Sequence, residues 1–419
     1  MGKMNLIAII LAGLGTPLFI VISFLSLHSF YSIEIDLTVL FIEMYRLAET
    51  PSLTAIPFFT FSGFILAHSN APNRLVSLTS RLLGWLPGGL AIVALFICAF
   101  FTALTGASGV TIIALGGLLY PSLKSSQYGE DFSLGLLTTS GSLGLLFPPS
   151  LPLILYGIIA SVPIDQLFLA GLVPGLLLLI VLSIYSIFVS PTQIESHVPA
   201  DTQPIGPMIR ESIWEIGLPF VLLGGIFSGL IALSEGAVLC TAYLLLVEVG
   251  IKREIPLRAL PDILLKSMGI LGAIFIILGS SMAYTNYLID QQIPNSVLSF
   301  IQLHIQSKWA LLIALNFFLL AVGCVVDMFS ALILVVPLVL PLAQAYEIHP
   351  IHLGIIFLTN LEIGYSTPPI GLNLFISSLR FKKPIFTLYK ASIPFLILLF
   401  VCLLLITYIP PLSLILVTS

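Results

Sequence analysis

Long apolar runs recur from one end of the chain to the other. A transmembrane helix needs about 20 consecutive, mostly apolar residues. Of the 419 residues, 58% are hydrophobic and only 8% are charged, which is too little charge for the surface of a water-soluble domain. The sequence therefore predicts an all-α polytopic membrane protein in a lipid bilayer. Its hydrophobic segments lie near residues 5–30, 53–70, 87–120, 132–160, 166–190, 215–232, 235–250, 265–289, 309–340, 350–378 and 391–417.

Two of these segments, 87–120 and 309–340, are too long for one crossing. Each has a polar or glycine-rich centre, Thr-Gly-Ala-Ser-Gly at 105–109 and Gly-Cys-Val-Val-Asp-Met-Phe-Ser at 323–330. A helical hairpin that enters and leaves on one side explains both features, because non-helical backbone at membrane depth is tolerated when it is buried in protein or lines a watery cavity. We therefore expect two re-entrant hairpins and nine full crossings.

The basic residues support this arrangement. If both hairpins are re-entrant, 13 of the 15 lysines and arginines share the side of the N-terminus, and only Arg46 and Lys308 lie on the other. Positively charged loops stay in the cytoplasm, so the distribution predicts a cytoplasmic N-terminus. The net charge of −4 argues against a nucleic-acid partner.

Two Pro-Pro pairs interrupt apolar segments at 148–149 and 368–369. Proline removes a backbone donor and clashes with the preceding turn, so each pair should break a spanning helix, one in 132–160 and one in 350–378. The two pairs lie 220 residues apart, and other residues repeat at this spacing. These are Leu118 and Leu338, Pro121 and Pro341, Thr139 and Thr359, and Gly144 and Gly364.

Five predicted crossings separate the two hairpins, so the second hairpin should enter from the opposite face. Inverted repeats whose broken helices meet near the midplane are typical of secondary transporters. The predicted units are N-terminal scaffold helices with an outer amphipathic segment (1–86), a first repeat core (87–190, with hairpin 87–120, broken helix 132–160 and helix 166–190), a cytoplasmic linker (191–214), scaffold helices (215–308), a second repeat core (309–390, with hairpin 309–340 and broken helix 350–378) and a C-terminal helix (391–419).

Each repeat carries small polar side chains and glycines beside its hairpin centre and its break. A broken helix exposes carbonyl oxygens that suit Na⁺ and amides that suit an anionic substrate. Any single hydroxyl could instead hydrogen-bond to its own helix. The residues are Thr105, Gly106, Ser108, Gly109, Thr138, Thr139, Ser140, Gly141, Ser142 and Gly144 in the first repeat, and Gly323, Asp327, Ser330, Thr359, Asn360, Gly364, Ser366 and Thr367 in the second.

Among the acidic residues, Asp327 and Glu362 alone are expected well inside a hydrophobic segment. A carboxylate in the membrane is costly and indicates a functional site. Asp327 could bind a cation or orient the hairpin, or it could cap a helix N-terminus. Glu362 could couple ion binding to transport or tie helices together.

Four stretches resemble the large membrane subunit of tripartite ATP-independent periplasmic (TRAP) transporters, in order and over nearly the whole chain. They are GWLPGGLAIVALFICAFFTALTGASG (84–109), LGLLFPPSLPLILYG (143–157), LFLAGLVPGLLL (167–178) and HPIHLGIIFLTNLEIGYSTPPIGLNLFI (349–376). The resemblance implies a Na⁺-driven inner-membrane importer, without another cofactor, for a carboxylate-bearing solute such as a dicarboxylate or sugar acid. It also implies an elevator motion, a small four-helix membrane subunit and a periplasmic solute-binding protein.

The resemblance further implies where ions and substrate bind. The expected first Na⁺ site comprises Thr105, Gly106, Ser108, Ser140, Gly144 and Pro148, and the second comprises Gly323, Asp327, Ser330, Thr359, Gly364, Thr367 and Pro368. The expected substrate contacts are Ser142, Pro149, Asn360 and Asn373, and Glu362 is the candidate for coupling.

Two residues depart from the family pattern. Ala107 replaces the first of two paired serines at the first tip, and Met328 replaces a proline after Asp327. Either change could alter ion affinity or stoichiometry. The alternatives are a stand-alone ion-coupled anion carrier, a passive channel and an intramembrane hydrolase, the last with only Asp327 and Glu362 to work with.

Overall fold

The computed structural model describes Leu11 and residues 16–83, 85–190 and 205–417, and all regular elements in this part are helical. The predicted segment 5–30 and the predicted linker 191–214 lie partly outside these residues. The helices are α1 (Leu18–Ser32), α2 (Val39–Ala48), α3 (Ala55–His68), α4 (Ala71–Leu83), α5 (Gly89–Thr105), α6 (Ser108–Ser125), α7 (Glu130–Ser140), α8 (Leu151–Ala160), α9 (Ile164–Val189), α10 (Ile205–Phe227), α11 (Leu233–Leu244), α12 (Leu260–Asp290), α13 (Ile293–His304), α14 (Lys308–Val325), α15 (Met328–Ala345), α16 (Pro350–Gly364), α17 (Leu372–Phe381), α18 (Ile385–Tyr408) and α19 (Pro411–Leu414).

By length and composition, seven helical stretches of the described residues could cross a membrane, and an eighth joins α7 and α8 across a bend of 44°. Both arms of the second predicted hairpin, α14 and α15, are among the seven. Length therefore does not distinguish a re-entrant pair from two crossings there. The seven stretches are Pro51–His68, Ile164–Val189, Leu233–Ile251, Leu257–Asp290, Lys308–Val325, Met328–Ala345 and Ile385–Tyr408.

The 220-residue repeat extends from single residues to whole helices. Helix α6 spans Ser108–Ser125 and α15 spans Met328–Ala345, so both ends are displaced by 220. Helices α5 and α14 end at the same displacement, and α7 and α16 begin at it. The turns after α6 and α15 also match, because Gln127 and Glu347 both have positive φ, 62° and 57°.

Helices of the two repeats pack against one another, so the repeats do not form separate bodies. Helix α6 of the first repeat packs against α17, which follows the break of the second, and α15 packs against α8 in the corresponding way. Helix α7 likewise packs against α18, and α16 packs against α9. Each helix break is therefore bordered by a hairpin from its own repeat and by helices from the other repeat.

Helices α1–α4 and α10–α13, called the outer helices below, make up most of the rest of the described structure. Helix α12 packs along α1 and α2, and α11 packs along α3. Helix α10 begins at Ile205, inside the predicted linker, and packs against α4. This outer part contains the ion-pair cluster described below.

Candidate ion and substrate site

The first hairpin turns at Gly106, between α5 and α6. Gly106 has φ of 66°, a left-handed conformation that glycine adopts without strain. A Cβ atom there would lie 2.4 Å from the Leu151 side chain at the start of α8. Thr105 and Ser108 on either side of the turn are buried. The first tip therefore lies directly on the helix that follows the first break.

The first break begins where α7 ends at Ser140 and includes a 3₁₀ turn at Leu143–Leu146. The Thr102 hydroxyl in α5 lies 2.7 Å from the carbonyl oxygen of Gly141. Gly144 permits a close approach, since a Cβ there would lie 2.1 Å from the Ala99 carbonyl oxygen. The Pro148-Pro149 peptide bond is cis, and both prolines are buried.

Asp327 directly precedes α15, the second arm of the second predicted hairpin. Its Oδ1 accepts hydrogen bonds from the backbone N–H groups of Phe329 (3.1 Å) and Ser330 (3.0 Å), so it caps the N-terminus of α15. The cap expected as an alternative is therefore present. It uses Oδ1, and Oδ2 takes no part in these two bonds. The Ser330 hydroxyl is buried without a hydrogen-bond partner among the described residues.

The second break follows Gly364, the last residue of α16. Gly364 packs on Gly323 of α14, since a Cβ at Gly364 would lie 2.7 Å from the Cα of Gly323. Gly371 donates its N–H to the Cys324 carbonyl oxygen at 3.0 Å. The Pro368-Pro369 peptide bond is also cis, but these prolines are exposed. Each break thus contacts the first arm of its own hairpin.

Three of the candidate hydroxyls hydrogen-bond to nearby backbone carbonyl oxygens, which is close to the alternative given for any single hydroxyl. The partners are carbonyl oxygens four residues earlier in the chain. The donors are Thr139 to Gly135 (2.8 Å), Thr359 to Ile355 (2.7 Å) and Thr367 to Ile363 (2.7 Å). The Ser142 hydroxyl likewise bonds locally, to the Thr139 carbonyl oxygen. These bonds occupy the hydroxyl hydrogens and leave oxygen lone pairs as acceptors.

Side chains from the two repeats meet between α6, α7 and α17. Ser108 at the first tip donates to Oδ1 of Asn373 at 2.7 Å, and Asn373 Nδ2 lies 3.4 Å from the Ser366 hydroxyl. One turn further along α17, Thr138 donates to Ser377 at 2.9 Å. The first tip, the second break and α17 therefore form one buried polar region.

Two candidates lie away from this region. Asn360 donates to Asn316 Oδ1 in α14 at 2.8 Å, and Asn316 donates to the Thr407 hydroxyl in α18, so these residues tie three helices together. Glu362 is fully buried, and neither carboxylate oxygen has a hydrogen-bond partner in the described part of the chain. Neither side chain bonds to Asp327 or Asn373.

Buried acids are not confined to the interiors of hydrophobic segments, where Asp327 and Glu362 were expected. Glu215 of α10 and Glu248 of the π-helical turn Leu245–Ile251 are also fully buried. Arg74 of α4 bonds to both, and Lys252 bonds to Glu215. These carboxylates stand near the ends of apolar runs, and their arginine comes from a helix far away in sequence. Apolar pattern alone does not identify such a cluster.

Tyr365 and Ser377 were also missed. The Tyr365 hydroxyl accepts the backbone N–H of Met328 at the second tip. In the 220-residue register Tyr365 corresponds to Leu145, so the repeat does not indicate it. Among the described residues, no group of three or more His, Cys, Asp or Glu side chains could hold a metal ion. The oxygens near the tips are hydroxyls, carbonyls and one carboxylate, a donor set that fits Na⁺.

Comparisons with known proteins identify the family. Residues 4–412 match the model of the tripartite ATP-independent periplasmic transporter, DctM component. The large permease protein DctM of a C4-dicarboxylate TRAP transporter from Pseudomonas aeruginosa is 33% identical over 89% of this chain and 88% of its own. The ectoine/5-hydroxyectoine permease UehC from Ruegeria pomeroyi is 31% identical over 83% and 82%.

An isethionate permease, DctMQ from Oleidesulfovibrio alaskensis, is 30% identical over 85% of this chain and 57% of its own. The YdaH transporter of Alcanivorax borkumensis shares the fold, with a TM-score of 0.64 at 14% identity over 91% of this chain and 89% of that one. The match to the family model spans nearly the whole chain. The protein therefore belongs to the large permease (DctM) family of TRAP transporters.

Proposed function

We propose that this permease imports an organic anion with Na⁺ by an elevator motion. The contact between each hairpin tip and its helix break is the observation that carries the proposal. At both places Gly144 or Gly364 lets the backbone of the break approach the hairpin closely. The tip and the break both carry carbonyl and hydroxyl oxygens beside the end of a broken helix, and inverted-repeat transporters hold coupling ions at such breaks.

The proposed first Na⁺ site lies between Thr105, Ser108 and the backbone of the first break. The second lies between Asp327, Ser330 and the backbone beside Thr367. Asn373 stands between the first tip and the second break, where its amide could contact substrate. The proposed substrate is a small carboxylate or sulfonate, since relatives are named for C4-dicarboxylates and isethionate.

The elevator proposal treats both hairpins as re-entrant. The interlocked helices α5–α8 and α14–α17 would then move together against the outer helices α1–α4 and α10–α13. The packing of each repeat on helices of the other supports this division, because tightly packed helices are expected to move as one body. The charge distribution supports a cytoplasmic N-terminus, and membership of a periplasmic transporter family supports an inner-membrane location.

The proposed partners are a small four-helix membrane subunit and a periplasmic solute-binding protein. Liposomes containing this chain, with and without those two proteins, test the proposal. We expect Na⁺-driven uptake only when all three are present. Equal uptake by this chain alone, with no gain from the binding protein, would establish the stand-alone carrier instead.

Substitutions at the second tip test the Na⁺ site. Asp327→Asn keeps an oxygen to cap α15 but removes the charge, and Thr367→Val removes a hydroxyl. We expect each to raise the Na⁺ concentration for half-maximal uptake by roughly tenfold or more, because contacts to charged groups contribute about 1.5–3 kcal/mol. Asp262→Asn is the control, since Asp262 is exposed and its ion pair is with Lys266 on the same helix. An unaltered Na⁺ dependence of uptake in both test variants would contradict the proposed second Na⁺ site.

A further inference from the structure

A chain of hydrogen bonds joins the two hairpin tips. Ser108 at the first tip donates to Asn373 Oδ1 at 2.7 Å. The Asn373 backbone N–H donates to the Tyr365 carbonyl oxygen at 3.0 Å. The Tyr365 hydroxyl in turn accepts the N–H of Met328, the residue after Asp327. Three bonds thus connect the two proposed Na⁺ sites.

All four residues of this chain are buried. Ser108, Met328 and Tyr365 are exposed by 3%, 2% and 5%, and Asn373 is not exposed at all. Water cannot readily replace a partner that is lost from such a path, so each group depends on the next. A displacement of one tip therefore disturbs the hydrogen bonds of the other.

The path is asymmetric with respect to the repeat. In the 220-residue register Met328 corresponds to Ser108 and Tyr365 corresponds to Leu145. Leucine has no hydroxyl, so the first break cannot hold the first tip in the way that Tyr365 holds the second. Tyr365 is therefore an addition to the repeated architecture, placed where it contacts the backbone beside Asp327.

We propose that Tyr365 and Asn373 are positioning residues that couple Na⁺ binding at one tip to Na⁺ binding at the other. This rests on the proposed Na⁺-coupled function. An ion at the second site fixes the backbone at Asp327 and Met328, and Tyr365 and Asn373 transmit that order to Ser108. Coupling is reciprocal, so an ion at the first site favours the second to the same degree. The two sites then fill together, and the partly loaded carrier is rare.

The test compares two hydroxyl deletions at the same break. Tyr365→Phe keeps the ring and removes the contact to Met328. Tyr389→Phe is the matched control, because the Tyr389 hydroxyl donates to the Pro369 carbonyl oxygen at 2.6 Å and lies outside the path. Uptake by the reconstituted three-protein system is measured against Na⁺ concentration. We expect a Hill coefficient of about 2 for the wild type and Tyr389→Phe, and a clearly lower coefficient for Tyr365→Phe.

A second variant and a second measurement keep the coupling testable if Tyr365→Phe does not transport. Asn373→Ala breaks the path at another point and should lower the Hill coefficient in the same way. Na⁺ titration of the unfolding temperature of the purified membrane complex gives the same comparison for a variant that folds without transporting. Wild-type cooperativity in Tyr365→Phe and Asn373→Ala would overturn the coupling. Wild-type uptake that is independent of Na⁺ would instead overturn the proposed function.

Discussion

Alanine at Gly364 is expected to lower Na⁺-driven uptake by about tenfold or more. The added Cβ would lie 2.7 Å from the Cα and carbonyl carbon of Gly323 and 3.1 Å from the Cys324 nitrogen, all of them backbone atoms. No flexible side chain can move aside, so the second hairpin must shift relative to the break. Overpacking of this kind costs about 1–3 kcal/mol, and here it falls on the contact that shapes the proposed second site.

The same measurement on other glycines separates this contact from a general effect. Gly144→Ala should be equally damaging, since its Cβ would meet the Ala99 carbonyl oxygen at 2.1 Å. Gly269→Ala in α12 is the control, because nothing lies within 4 Å of the added atom and alanine favours helix. Uptake is normalised to the amount of protein in the membrane. Normal uptake by Gly364→Ala would show that the close approach of hairpin and break is dispensable.

The helical architecture could be predicted because apolar length and proline position act locally. Proline cannot continue a helix, and the structure ends α7 at Ser140 and α16 at Gly364, eight and four residues before their Pro-Pro pairs. The boundaries were less accurate. Hairpins predicted at 87–120 and 309–340 correspond to helices that run to Ser125 and Ala345, because the last turn of each is more polar than its centre.

The candidate site was harder to predict because its contacts join residues that are distant in sequence. Composition identified Ser108 and Asn373 as polar residues near membrane depth, but their hydrogen bond spans 265 positions. Asn360 was an equally good substrate candidate by pattern. Its amide donates to Asn316 instead, and nothing in the local sequence distinguishes that arrangement from a side chain facing the break. The sequence likewise does not show to which carbonyl oxygen a serine or threonine hydroxyl will donate its hydrogen bond.

The second large effect concerns Arg74, which lies in the outer helices. Arg74 is the shared partner of three carboxylates, bonding to Glu215 and Glu254 and lying 3.3 Å from Glu248. Arg74→Ala leaves Lys252 as the remaining cation beside two fully buried acids. Removing one partner of a buried ion pair costs about 3–5 kcal/mol. We expect a clear fall in the unfolding temperature of the purified protein and in its amount in the membrane.

An exposed ion pair supplies the comparison. Lys266 and Asp262 lie one helical turn apart in α12, 2.6 Å between charged atoms, with more than half of each side chain exposed. Exposed pairs of this kind contribute about 0–1 kcal/mol. Lys266→Ala should therefore leave the unfolding temperature almost unaltered. Equal losses in Arg74→Ala and Lys266→Ala would contradict a special role for the buried cluster.

Neutralising the carboxylates distinguishes lost charge from lost packing at Arg74. The cost of Arg74→Ala is attributed to acids left in a buried site without their cation, so Glu248→Gln should restore part of the unfolding temperature in the Arg74→Ala background. In the wild-type background the same Glu248→Gln leaves Arg74 with Glu215 and Glu254 and should have a much smaller effect. A double variant no more stable than Arg74→Ala would assign the loss to the volume of the arginine side chain. Recovery of the unfolding temperature would assign the loss to uncompensated charge, and ion pairing would then be what holds α4 to α10 in this permease.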